Sequence, residues 1–354
     1  MAENTEAIET ALSQWAGQSE RVDSSNYGLQ ALSGDASRRR YFQLINHPDL
    51  LAVYAPPTTD DPQIFVDIAH YLREQGIHAP RVFEFDSERG FLLIENFGDD
   101  LYLSALNADN VETLYGEALL TLLRMQQSPA DSKLLGQYDA DKLRAEMELF
   151  PHWFVQRLLG YTLADTEREM LDNLFTSLIG SALEQPQVFV HRDFHSRNLI
   201  HRKVGPPGVI DFQDAQWGPV TYDLVSLLKD CYIRWPRHLV QRWAAAYGSM
   251  IGSAGIIKPV ATEQFLRWFD FMGLQRHLKV LGIFARLFLR DNKSNYLKDL
   301  PLVMRYTLEV ADQYPEFDQF SQWFKTILLP ACEQQSWYED YQTAGYSPMI
   351  EAEK

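Results

Sequence analysis

The densest chemistry in the chain lies in His191-Arg192-Asp193-Phe194-His195-Ser196-Arg197-Asn198. A short apolar run, Val188-Phe189-Val190, precedes it. Leu199-Ile200, a Gly/Pro turn from Gly205 to Gly208, and Val209-Ile210-Asp211-Phe212 follow it. An aspartate, an asparagine five residues on and a second aspartate thirteen residues after that form the set that phosphoryl transfer to a hydroxyl requires. Asp193 would accept or orient the proton of the attacking hydroxyl. Asn198 would bring an amide oxygen to a metal, and Asp211 a carboxylate to Mg²⁺ bridging nucleotide phosphates. Mg²⁺ takes oxygen ligands and keeps several waters, so one amide and one carboxylate suffice. Taken singly, each of these residues is an ordinary turn former; the spacing sets them apart.

Short strands must hold that set. Val188–Val190 and Val209–Ile210 have the apolar character of buried strands, and their polar loops emerge on the same edge. Upstream, the segments 41–45 and 50–54 read as two strands around a turn at 46–49. Asp60-Asp61-Pro62 offers an N-cap and a helix-starting proline, followed by Ile64, Ile68, Tyr71 and Leu72 at helical spacing and a stop at Gly76. The segments 81–85 and 91–95 form a hairpin. Helical patterns then dominate, over 110–127, 163–183, about 224–250 and 262–289.

The run HRDFHSRNL…VIDFQDA…GPVTYDLVSLL resembles the superfamily of aminoglycoside phosphotransferases and choline kinases, small-molecule relatives of the protein kinases. Ile210-Asp211-Phe212 stands where that superfamily carries Ile-Asp-Phe or Ile-Asp-Trp. Pro219-Val220-Thr221-Tyr222-Asp223-Leu224 matches its Pro-x-x-Tyr-Asp-Leu. The resemblance implies an α+β, protein-kinase-like bilobed fold: a small β-rich N-lobe over residues 1–97 and a larger helical C-lobe over 98–354. It implies ATP and Mg²⁺ as cofactors. Asp223 would cap the helix after it and hold the catalytic-loop backbone, with His191 packing the loop. The hinge would be Leu93-Ile94-Glu95-Asn96-Phe97-Gly98, where backbone groups near Glu95 and Phe97 meet adenine. One feature departs from kinases: the strand that usually carries a phosphate-pairing lysine reads Leu51-Ala52-Val53-Tyr54-Ala55, without one. The stretch before the preceding strand, with Ser37 and the triplet Arg38-Arg39-Arg40, is the expected nucleotide-covering loop. There Arg39 or Arg40 would supply the missing cation, since guanidinium forks suit phosphate oxygens.

Within the superfamily the match narrows to bacterial kinases of N-acetylmuramate and N-acetylglucosamine. It rests on Gly34-Asp35-Ala36-Ser37-x-Arg39-Arg40-Tyr41-Phe42, Ala55-Pro56-Pro57, Asp230-Cys231-Tyr232-Ile233-x-Trp235-Pro236 and the segment 275–284. Those enzymes phosphorylate the anomeric hydroxyl of amino sugars in peptidoglycan recycling. Muramate carries a carboxylate, so Arg234 and Arg276, with Lys279 nearby, are candidate substrate cations; Tyr232 and Trp235 are candidate stacking aromatics. Asp214 lies near the same edge.

Composition bounds the alternatives. Hydrophobic residues make up 46% and charged residues 23%, enough apolar material for a large core. The net charge of −16 disfavours nucleic acid and anionic membrane surfaces as partners. The two cysteines show neither metal spacing nor a disulfide framework, and the first ten residues are no secretory signal, so a cytoplasmic setting is expected. Two rival functions are a kinase of another small hydroxyl compound (an aminoglycoside, choline or homoserine) and a non-catalytic nucleotide sensor, the latter suggested by the missing lysine.

Overall fold

The computed structural model describes residues 2–32, 39–58, 61–131, 133–345 and 347–348. Ser37 and Arg38 lie outside the described residues. Two compact units divide the chain: residues 1–105 with 197–214, and 106–196 with 215–354.

In the first unit, helix α1 (Ala2–Ala16) precedes strands β1 (Leu29–Ala31), β2 (Arg40–Leu44) and β3 (His47–Tyr54). Helix α2 (Pro62–Glu74), β4 (Val82–Asp86), β5 (Phe91–Glu95) and a single helical turn, α3 (Tyr102–Ala105), follow. The sheet is antiparallel, in the order β1-β2-β3-β5-β4. The β2–β3 turn is tighter than the sequence suggests. Asn46 takes a left-handed φ of 67°, a conformation asparagine tolerates, so Pro48 and Asp49 already belong to β3. Asp61 caps α2 by accepting from Gln63 N–H at 3.0 Å. The acidic N-terminal segment conceals an amphipathic helix. Leu12 and Ala16 of α1 are fully buried against Phe42, Leu44, Leu50 and Leu93 of the sheet.

The second unit begins with α4 (Val111–Gln127), a short strand β6 (Gly136–Gln137) and α5 (Ala140–Met147). Residues Phe150–Leu158 continue as a wider helix of the i→i+5 type, closed by Leu159 N–H donating to Phe154 O at 3.1 Å. Helix α6 (Asp165–Glu184) and β7 (Gln187–Val190) follow. The chain then returns to the first unit for the two-stranded ladder of β8 (Leu199–Ile200) and β9 (Gly208–Val209). It re-enters the second unit at β10 (Gln216–Pro219), which lies between β6 and β7. Helices α7 (Tyr222–Leu228), α8 (Arg237–Ser253), α9 (Thr262–Asp291) and α10 (Leu300–Ala311) complete the part that bears on the site.

The continuous helical pattern read over 224–250 is in fact two helices. Pro236 precedes α8, and at the other end of the break the Asp230 carboxylate accepts from Tyr232 N–H at 3.1 Å, so residues 229–236 leave the helix. Helix α9 runs through the middle of this unit and is buried on nearly every face between Phe265 and Leu287. Its close approach to the segment before Phe150 depends on Gly282. A Cβ there would lie 2.3 Å from the Leu149 carbonyl carbon and 2.5 Å from its oxygen. Gly180 in α6 has no such neighbour within 4 Å. Gly282→Ala should therefore destabilise the protein by about 1–3 kcal/mol, whereas Gly180→Ala should be neutral or stabilise it by up to about 1 kcal/mol. Thermal melts of the two variants beside the parent check this; equal melting temperatures would contradict it.

Candidate active site

In the second unit the loop after β7 presents Asp193. Arg192 adopts φ 78°, strained for a residue with a side chain. The Asp223 carboxylate holds it there, accepting from His191 N–H at 2.6 Å and Arg192 N–H at 3.0 Å. Asp223 thus does not cap its own helix; its oxygens turn back to the loop. Burial pushes its carboxyl up to about 7, against the pull of the two amide donors and Arg276. The far side of the loop is tied in the same manner. Ser196 donates to Asp230 from its N–H at 2.9 Å and from its hydroxyl at 2.5 Å. The His191 ring is fully buried and packs edge-on against Phe194, with centroids 5.9 Å apart.

Beneath Asp193 lies a network of buried charge. Arg276 donates to the Arg192 carbonyl at 2.8 Å and to Tyr222 Oη at 3.3 Å, and pairs with Asp193 Oδ1 at 3.4 Å. Lys279 donates to Tyr222 Oη at 2.9 Å and pairs with Glu146 at 3.2 Å; Arg192 and the Tyr138 hydroxyl also bond Glu146. Withdrawal from water raises the Asp193 carboxyl, but Arg276, Lys279, His195 and Arg192 together hold it well below the usual carboxylate range.

In the first unit, β8 and β9 pair Leu199 with Val209, and Ile210 N–H donates to Asn198 O at 3.1 Å. This brings the two metal-type residues together: Asn198 Nδ2 lies 3.3 Å from Asp211 Oδ2. Asp211 has φ 64°, and Gln213 Nε2 donates to its other oxygen at 2.9 Å. An amide oxygen and an exposed carboxylate are hard donors suited to a Mg²⁺ that keeps its waters. Among the described residues no cluster of three or more His, Cys, Asp or Glu side chains is placed to hold a metal. Asp214 is exposed three residues further on.

The arginines before β2 divide. Arg40 is engaged by Glu9 of α1 and lies over Phe42. Arg39 is only 3% exposed and lies over the Phe65 ring of α2, 5.0 Å from its centroid. Phe65 in turn stacks on Phe212, beside Asp211, at 4.9 Å. A cation on an aromatic stack thus occupies this part of the unit. Glu95 ends β5 with its carboxylate on Arg73 (3.3 Å) and Arg81 N–H (3.2 Å). The Phe97 ring covers Gly208, where a Cβ would meet it at 2.6 Å.

The substrate cations read from the sequence are placed differently. Arg234 forms a bidentate pair with Glu309, at 3.2 and 2.6 Å, and lies over Tyr306, so its guanidinium is spent within the fold. Arg276 is 3% exposed and faces Asp193. Trp235 is 1% exposed and donates to Tyr115 Oη at 2.9 Å, which removes it as a stacking surface. Tyr232 stays beside the loop, edge-on to His195 at 5.5 Å. The sequence gives no signal for Glu146 or Tyr138, and it offers Asp230 only as part of a matching segment, without a role.

A model of the phosphotransferase enzyme family matches residues 28–259. The chain belongs to that family. It is a phosphotransferase with a protein-kinase-like fold. It is 44% identical over 296 residues to an N-acetylmuramate/N-acetylglucosamine kinase of Pseudomonas putida, covering 83% of this chain and 86% of the relative. It is 42% identical to a protein of the same name from Pseudomonas aeruginosa, covering 82% and 86%, and 36% identical to one from Neisseria meningitidis, covering 82% and 88%. In fold it is similar to an ethanolamine kinase of Plasmodium vivax, with TM-score 0.59, 12% identity and coverage of 83% and 84%. It is likewise similar to the GDP complex of an aminoglycoside 2′-phosphotransferase, with TM-score 0.58, 15% identity and coverage of 81% and 93%.

The Asp223 contacts predict a specific loss. An asparagine there offers one acceptor oxygen where two are used, so Asp223→Asn should cost about 1–3 kcal/mol of stability and lower turnover with it. Calorimetry beside a turnover assay checks this. A variant with the parent's melting temperature and rate would show that the loop needs no such anchor.

Proposed function

We propose that the protein is an ATP-dependent kinase of N-acetylmuramate and N-acetylglucosamine that phosphorylates their anomeric hydroxyl. The observation that carries this reading is the anchored Asp193, taken with the N-acetylmuramate/N-acetylglucosamine kinases to which the chain is 36–44% identical over most of its length. In the reaction the sugar oxygen attacks the γ-phosphorus, the bond to the β-phosphate oxygen breaks, and ADP leaves. Asp193, kept ionised by its cationic surroundings, accepts a hydrogen bond from the sugar hydroxyl and aims the oxygen's lone pair at phosphorus; as the new O–P bond forms the proton passes to the Asp193 carboxylate and from there to solvent. An anomeric hydroxyl is more acidic than an ordinary alcohol, which suits a weakly basic carboxylate.

Asn198 and Asp211 would hold Mg²⁺, which neutralises phosphate charge when bound. Arg39, which lies over Phe65, or Arg40, which Glu9 engages, would stand in for the absent strand lysine. Backbone groups of Glu95 and Phe97 would receive adenine, and Tyr232 with His195 would offer the sugar an aromatic wall. Arg234 does not face the substrate in this reading. The products would be sugar 1-phosphates usable in recycling of cell-wall material. Among the described residues no helix is long and apolar enough to cross a membrane.

Transfer from radiolabelled ATP to a panel of N-acetylmuramate, N-acetylglucosamine, an aminoglycoside, choline and homoserine tests the substrate. Label should pass to the amino sugars only; transfer to another acceptor alone would overturn the choice. Asp193→Asn should lower turnover by about 10²–10⁴-fold with nucleotide affinity retained, and undiminished turnover would remove Asp193 from its role.

A further inference from the structure

We propose that Arg276 is a positioning residue for phosphoryl transfer, acting through Asp193 rather than on the substrate. The proposal rests on the reading of Asp193 as the orienting carboxylate. Arg276 reaches the loop from the middle of α9, and its guanidinium grips one residue boundary at two points. Nη1 binds the Arg192 carbonyl at 2.8 Å, and Nη2 faces Asp193 Oδ1 at 3.4 Å. The peptide that begins Asp193 and the side chain that ends in its carboxylate are thus referred to a single planar group. A planar fork does this where a point charge could not, because its donors have a fixed mutual geometry.

The surroundings favour this role over a substrate contact. Arg276 is 3% exposed, whereas the Asp193 side chain keeps 40% of its surface accessible. The carboxylate is therefore the group presented outward, and the arginine stands behind it. The guanidinium is itself held in place: Tyr222 Oη accepts from Arg276 at 3.3 Å and from Lys279, one turn along α9, at 2.9 Å. Lys279 is fixed in turn by Glu146, which also pairs with Arg192. Helices α5, α7 and α9 thereby converge on one carboxylate. Misplacement of a reacting group by about 1 Å is enough to cost about 10²-fold in rate.

A double-mutant cycle separates the possibilities. With ATP and N-acetylmuramate, kcat and both KM values are measured for the parent, Arg276→Gln, Asp193→Asn and the double variant. Arg276→Gln should lower kcat by about 10²-fold, with each KM changed less than about threefold. In the Asp193→Asn background the same change should alter the residual kcat by less than about threefold. Equal losses in both backgrounds would mark a general structural effect, and a raised sugar KM with kcat preserved would mark a substrate contact; either overturns the proposal. If Arg276→Gln does not fold, Arg276→Lys takes its place in the cycle. It keeps the charge and loses the fork, and its kcat should still fall without a change in KM; parent kcat in that variant would overturn the proposal. Impairment by Asp193→Asn with harmless Arg276 variants overturns this proposal alone, whereas a harmless Asp193→Asn overturns the reading beneath it as well. Should the parent phosphorylate neither amino sugar, the same cycle read on slow ATP hydrolysis, with water as acceptor, keeps the two failures apart.

Discussion

Arg192 has φ 78°, and two hydrogen bonds into the Asp223 carboxylate, at 2.6 and 3.0 Å, keep it there. A left-handed backbone at a residue with a side chain costs about 1–3 kcal/mol. The two bonds, at about 0.5–1.5 kcal/mol each for a neutral acceptor and about 1.5–3 kcal/mol for a charged one, are of the size needed to offset the strain. The cost appears elsewhere, in a buried carboxyl raised to about 7. Asp193 follows directly, and its direction depends on that turn. Asp230 repeats the arrangement at Ser196, so one carboxylate at the start of α7 and one just beyond its end pin the loop on either side of Asp193.

Charge around the loop differs in sign from the molecule as a whole. The chain carries −16, yet Asp193 is surrounded by Arg192, Arg276 and Lys279, with Glu146 as their counterweight. Net charge governs solubility and long-range steering; the protonation state of one carboxylate is set within a few ångströms. The same distinction weakens any inference from an acidic total to a polycationic substrate.

The loop chemistry was legible because its members are joined by short covalent spacings. Asp193 and Asn198 sit between two apolar strands with Asp211 just past the second, and a strand–loop–strand pattern leaves few ways to place them. Partners contributed from far along the chain leave no such mark. Arg276 meets Asp193 across 83 positions, and Arg192 meets Glu146 across 46. Arg234 read as a substrate cation because its partner, Glu309, stands 75 residues away. Helix α1 was hidden by its acidic outer face, although Leu12 and Ala16 lie one turn apart on the buried side. The break after Leu228 was missed for a related reason: apolar spacing continues through it, while a side-chain bond from Asp230 ends the helix.

Phosphorus-31 NMR of the product formed from ATP, Mg²⁺ and N-acetylmuramate tests the central claim most directly, since it reports which oxygen receives the phosphate. A single phosphate coupled to the anomeric proton is the expected result. A phosphate on the primary hydroxyl, or ADP and inorganic phosphate with no sugar phosphate, would contradict it.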